Sequence, residues 1–153
     1  MVEDHSAARG GYRTDDPFPG VLGRLPDLRI YFAETNASWI PGLLYMVDDS
    51  YQIFRHWYGV ELAMKPSEYV WRHFSFGIVR DPLALAMREH LDLDGIMWGS
   101  DFPHSVSSFP ETRRWLDEIF EGCPAGVRQQ VLVDNPCRFW HLDPAARPSA
   151  PAA

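Results

Sequence analysis

Three short apolar runs, each followed by a stretch with helical spacing, constrain this chain most. They are "LRIYFAE" (Leu28–Glu34), "RHFSFGIV" (Arg72–Val79) and "GIMWGS" (Gly95–Ser100). Each is almost continuously apolar rather than alternating. That is the pattern of strands in a parallel sheet covered on both faces. Strand, helix, strand, helix, strand, helices describes an α/β fold with a parallel sheet.

The helical segments carry their own signals. "PFPGVLGRLP" predicts a short helix ending near Pro26. In "IPGLLYMVDDSYQIFRHWYG", Leu43, Leu44, Val47, Tyr51 and Phe54 recur at helical spacing and predict several turns ending near Gly59. "VELAMKPSEYVW" predicts a connection with a turn or helix start at Pro-Ser-Glu. "PLALAMREHL" opens with Pro82 at the first helical position, where the missing N–H costs nothing. Ser108 is the expected cap of the helix in "SFPETRRWLDEIFEG", and "PAGVRQQVLVD" predicts another helix. Asn135 is the expected N-cap of "NPCRFWHL", with Pro136 at its first position. Residues 1–16 are expected to be a flexible segment, 17–142 the folded domain, and 143–153 a disordered Pro/Ala-rich tail.

Composition narrows the classes. The chain has 153 residues and a formal net charge of −7, the size of one domain without the basic patch of a nucleic-acid surface. Cys123 and Cys137 form no metal-ribbon or CxxC pair, which suits a reducing compartment. No apolar leader and no run of ~20 apolar residues is present. The expectation is a cytoplasmic protein with no nucleic-acid or membrane partner, acting on a small molecule.

In parallel α/β folds, chemistry gathers beyond the C-terminal ends of the strands. There the sequence places Glu34, then Arg80 and Asp81, then Asp101 and His104. Asp101 either ligates a divalent metal and moves a proton, or caps the turn that follows. His104 either bonds a ligand or Asp101, or is a solvated loop histidine. Glu34 is a ligand, a substrate-polarising acid, or an ion-pair partner of Arg80. Trp39 either lines a pocket or packs in the core. His73, at the opposite end of its strand, reads as structural.

"GIMWGSDFPHS" resembles the eighth-strand signature of the amidohydrolase-related family, in the branch of metal-dependent hydrolases and aminocarboxymuconate-semialdehyde decarboxylase-like enzymes. "LPDLRIYFAETNASWIPGLL" resembles the sixth strand and its loop, "KPSEYVWRHFSFGIVRDP" the approach to the seventh, and "VLVDNPCRFWHL" the closing helix. The likeness runs in order over residues 19–142. It implies a (β/α)8 TIM barrel with a divalent metal, zinc or manganese, at its mouth. Asp101 becomes metal ligand and catalytic proton carrier, and His104 a catalytic neighbour. Glu34, Trp39 and Arg80 become candidates for binding substrate.

The family's first-strand His-x-His motif and fifth-strand histidine have no counterpart here. Glu34 stands where many members carry a histidine. A whole barrel takes ~250 residues. The expectation is therefore the C-terminal part of a barrel, about strands six to eight, with an incomplete metal site. Such a chain would be unstable or inactive alone, and would need a complementing N-terminal half or a homo-oligomer. The alternative is a non-catalytic remnant or interaction protein.

Overall fold

The computed structural model describes residues 17–143 and Ala145. The segment 1–16 and nearly all of the tail 143–153, expected to be flexible, lie outside the described residues. The element order is α1 (Pro17–Arg24), β1 (Ile30–Phe32), α2 (Ile40–Tyr58), α3 (Pro66–His73), β2 (Phe74–Ile78), α4 (Pro82–Ala86), β3 (Ile96–Trp98), α5 (Thr112–Ile119), α6 (Ala125–Gln129) and α7 (Asn135–Trp140). The chain divides into two compact units. One runs to Arg29 and includes Gly42–His73; the other holds Ile30–Pro41 and the chain from Phe74 onward.

In the second unit the three strands form one parallel sheet in the order β1-β2-β3. Ile30 is level with Phe74, and Phe76 with Ile96. The central strand is buried along its whole length, whereas β1 is partly exposed. The continuous apolar pattern is therefore met at β2, while β1 keeps one unpaired edge among the described strands. Phe76, Ile78, Leu85, Ile96, Ile119 and Val131 are core residues of this unit.

The elements at the ends of the strands differ from the sequence expectation in instructive ways. β1 is shorter than Leu28–Glu34, and Glu34 lies in the turn beyond it. Arg72 and His73 close α3 rather than opening β2. His73 is buried, with Nδ1 2.9 Å from the Leu28 carbonyl oxygen, so its role is structural. Ser108 does not cap α5, which starts at Thr112 behind Glu111. Ser108 is instead buried, with its N–H on the Ser100 carbonyl and its hydroxyl on Thr112.

Asn135 is not an N-cap either. A π-helical turn over Gln130–Asp134 joins α6 to α7 without a break. The Asn135 amide then donates to the carbonyls of Leu93 and Ile96 at 2.6 and 2.7 Å. Those carbonyls flank the entry to β3, and the Leu93 carbonyl accepts from Ile96 N–H as well. The side chain thus does for β3 what a cap does for a helix.

In the first unit, α2 runs 19 residues and ends at Gly59, whose φ of +63° suits the residue that terminates a helix. Asp48 accepts from both the N–H and the hydroxyl of Ser67, and the Tyr51 hydroxyl accepts from Leu62 N–H. These bonds join α2 to the segment leading into α3. Among the described residues no helix is long and apolar enough to cross a membrane.

Candidate active site at the strand ends

The loops leaving the three strands are locked together by backbone and side-chain polar bonds. After β1, Asn36 donates its N–H to the Gly77 carbonyl at 3.0 Å and accepts from Val79 N–H through Oδ1 at 3.1 Å. The turn of β1 is thereby pinned to the end of β2. Asp81 adds a second tie. One of its oxygens accepts from Ala37 N–H and Ser38 N–H at 2.7 and 2.9 Å, and the other accepts from Ala84 N–H at 3.0 Å. A buried carboxylate with three backbone donors fixes one loop and caps α4 at once.

Glu34, Asn36 and Asp101 all have left-handed backbone, with φ of 60°, 56° and 55°. For asparagine this is tolerable; for Glu34 it costs on the order of 1 kcal/mol or more. The loop bonds above hold that geometry. Past β3, Gly99 N–H donates to the Ile78 carbonyl, and His104 N–H folds back onto the Asp101 carbonyl at 2.8 Å.

These turns bring two acids together. The carboxyls of Glu34, beyond β1, and Asp101, beyond β3, lie close enough for Asp101 to act on the protonation of Glu34. The strands are not neighbours, so the pair bridges the end of β2. The Asp101 side chain is only 13% exposed, and its Oδ2 lies 3.1 Å from Nδ1 of His104, which is 62% exposed. The hydrogen bond to Asp101, and then the charge of Asp101, raise the Glu34 carboxyl above the usual range; burial adds and His104 opposes. Two carboxyls sharing one proton behave in this way.

Tyr31 supports the pair from below. Burial raises its phenol above the ordinary value, and the Glu34 charge raises it further. Its ring packs against Phe139 and Trp140 at 5.7 and 5.9 Å. Its hydroxyl occupies the space over Gly77: a Cβ there would collide with the hydroxyl and come within 3.0 Å of Glu34 N. Glycine at position 77 leaves room for this approach.

The sequence candidates separate at this point. Glu34, Asp101 and His104 form one cluster. Trp39 lies near the same loop, donating Nε1–H to the Thr35 carbonyl and meeting Phe76 edge-on, half-exposed. Arg80 points elsewhere. It pairs with Glu118 at 3.3 Å and lies over the Trp115 ring at 4.8 Å, so its partner is not Glu34. Tyr31, Asn36 and Gly77 were not singled out by sequence reasoning. Only Asn36, in a run of turn-forming residues, carries a sequence signal.

Among the described residues no group of three His, Cys, Asp or Glu side chains is placed to hold an ion. The described donors do not by themselves fit a metal. What the cluster can do unaided is hold one proton between two carboxyls and exchange it with an exposed imidazole.

The model of the amidohydrolase family matches residues 5–142. A comparison with curated proteins found no match. Among solved structures, the chain is similar to 5-carboxyvanillate decarboxylase from Sphingomonas paucimobilis, at 23% sequence identity and a TM-score of 0.67. The match covers 82% of this chain and 37% of that one, so this chain spans little more than a third of that structure. At this identity the likeness speaks for the fold: mixed α/β, with a parallel sheet like that of a barrel family. On the strength of a match over most of its length, the chain belongs to the amidohydrolase family.

Proposed function

We propose that this chain is the C-terminal part of an amidohydrolase-family enzyme, about strands six to eight of a (β/α)8 barrel, and that its strand-end acids handle the proton of the reaction. The proposed reaction is nonoxidative decarboxylation of a small unsaturated or aromatic acid, or hydrolysis of a C–N or C–O bond. Both need a proton delivered at one atom and held nearby beforehand. In decarboxylation the C–C bond breaks, its electron pair stays on the substrate carbon, and that carbon takes the proton. In hydrolysis water bonds through its oxygen to the substrate carbon, the C–N or C–O bond breaks, and the leaving nitrogen or oxygen takes the proton.

The observation that carries this reading is the Asp101–His104 contact at 3.1 Å, with the Glu34 carboxyl beside it raised by Asp101. Glu34, with its carboxyl raised, is the proton donor; Asp101 holds the proton in place; His104, open to solvent, exchanges it with water. Trp39 is assigned to substrate contact beside the pair. Arg80, engaged with Glu118, is assigned to the rim. Any zinc or manganese site in the whole enzyme would draw its remaining ligands from chain outside this sequence, with Asp101 as this chain's contribution.

The test is activity of the protein carrying the rest of the barrel, whether in one reading frame or as a complementing chain. Carbon dioxide release marks the lyase, and amide or ester opening the hydrolase. Asp101→Asn is expected to lower kcat at least ~100-fold, the usual worth of a positioned acid or base. Full activity in that variant, or no activity in any complemented wild-type protein, would refute the reading; the second result would favour a non-catalytic remnant.

A further inference from the structure

The register of the sheet sets Tyr31 level with Ser75. Its hydroxyl nevertheless lies over Gly77, two residues nearer the C-terminal end of β2. The side chain therefore leans along the sheet by about 7 Å, the rise of two residues of parallel strand. It leans toward the end at which Glu34, Asp101 and His104 gather.

The lean is held in place. Phe139 and Trp140 of α7 pack against the ring, one tilted and one edge-on. The hydroxyl fills the space that Gly77 leaves, and a Cβ built there would also meet Glu34 N at 3.0 Å. The phenol oxygen and the Glu34 turn thus border the same small space. Burial, and then the Glu34 charge, hold the phenol above its ordinary value. At neutral pH it is an O–H donor and not a phenolate.

The polar tip of a half-buried Tyr or Trp ordinarily finds a partner within the fold. Trp39 and Trp98 do so, each donating Nε1–H at 3.0 Å, to the carbonyls of Thr35 and Val79. Among the described residues no hydrogen bond engages the Tyr31 hydroxyl. A protonated donor leaning toward the acids is therefore left with its hydrogen unused.

Both proposed reactions call for such a donor. When water adds in hydrolysis, negative charge settles on the carbonyl oxygen. When carbon dioxide leaves an unsaturated or aromatic acid, the electron pair left on carbon spreads onto an oxygen conjugated with it. A fixed donor aimed at that oxygen lowers either barrier.

We propose that Tyr31 is a further catalytic residue, whose O–H donates a hydrogen bond to the substrate oxygen on which negative charge develops. The phenol keeps its own proton throughout, and Glu34 and Asp101 handle the one that is transferred. The substrate is accordingly one with an oxygen acceptor bonded to the reacting carbon or conjugated with it. This rests on the reading of the strand-end acids as the proton-handling pair.

The anion of 4-nitrophenol carries a charged oxygen on a flat ring, and tests the donor in the 153-residue chain without turnover. Nitrobenzene is the same ring without that oxygen. Wild type is expected to bind the anion, followed by its visible absorbance. Tyr31→Phe should bind it at least ~10-fold more weakly, the worth of one hydrogen bond to a charged group. Affinity for nitrobenzene should be equal in the two proteins, which a role in packing alone would not give. No binding of the anion by wild type, an equal Kd in Tyr31→Phe, or equal losses for both ligands would overturn the proposal. In the protein carrying the rest of the barrel, Tyr31→Phe is expected to lower kcat ~100-fold with KM little changed, the usual cost of one such donor. A fully active Tyr31→Phe beside an inactive Asp101→Asn overturns the role of Tyr31 and leaves the acids standing. A fully active Asp101→Asn refutes the acid pair instead, and the two affinities for the anion still decide Tyr31.

Discussion

Glu34 reaches Asp101 across the end of a strand that belongs to neither. β1 and β3 flank β2, and Asp101 beyond β3 raises the carboxyl of Glu34 beyond β1. The contact depends on two left-handed residues and on loop ties made by Asn36 and Asp81. The geometry of this site therefore depends on residues outside the acid pair.

The pH dependence of stability follows from the raised Glu34. The folded chain holds this proton more tightly than the unfolded chain does. That stabilisation is complete below the unfolded value and is lost as pH rises through the folded one. Glu34→Gln keeps a donor for Asp101 and cannot ionise. In chelator-treated protein, the wild type is expected to lose Tm relative to Glu34→Gln as pH rises from about 4 toward neutrality. A Glu34→Gln protein less stable than wild type at neutral pH, yet equal to it in acid, would show that no shared proton is present.

Asp81→Ala strands three backbone donors, two of them in the loop that carries Glu34 toward the site. A loss on the order of 3 kcal/mol is expected in denaturant unfolding, the scale for charge-assisted bonds at a buried site. A loss below about 1 kcal/mol would mean that water replaces the carboxylate without penalty.

Gly77→Ala is expected to destabilise by about 1–3 kcal/mol through overpacking against the Tyr31 hydroxyl. Tyr31→Phe removes the oxygen that is struck, so the double variant should recover part of the loss. Unfolding of the four proteins gives the coupling directly. Simple additivity would place the clash elsewhere.

How much of this was legible beforehand depends on how local the cause is. The strands and their parallel order followed from three apolar runs with helical segments between them. Asp101 and Glu34 were singled out because chemistry in parallel α/β folds gathers just past the strand ends. Gly77 was not, because its purpose appears only when β1 is set in register with β2 and Tyr31 comes to lie over it. Asn135 had the composition of a helix cap; the continuous α6–α7 path freed it to hold the entry of β3 instead. Arg80 had an acid available at β1 and took Glu118 on α5, a partner far along the chain that no local pattern could indicate.

Asn135→Ala tests the second of these. It removes the side-chain donor to both carbonyls from a buried position, and Leu93 keeps only the Ile96 N–H. A loss of about 2 kcal/mol is expected from thermal or denaturant unfolding, as for other stranded buried acceptors.

The shared proton is the central claim, and carboxyl-carbon NMR of the chain titrates it directly. Glu34 is expected to titrate above the ordinary glutamate range and to fall back toward it in Asp101→Asn, where the partner charge is gone. A Glu34 signal that titrates in the ordinary range, and does not move when Asp101 is replaced, would contradict the account.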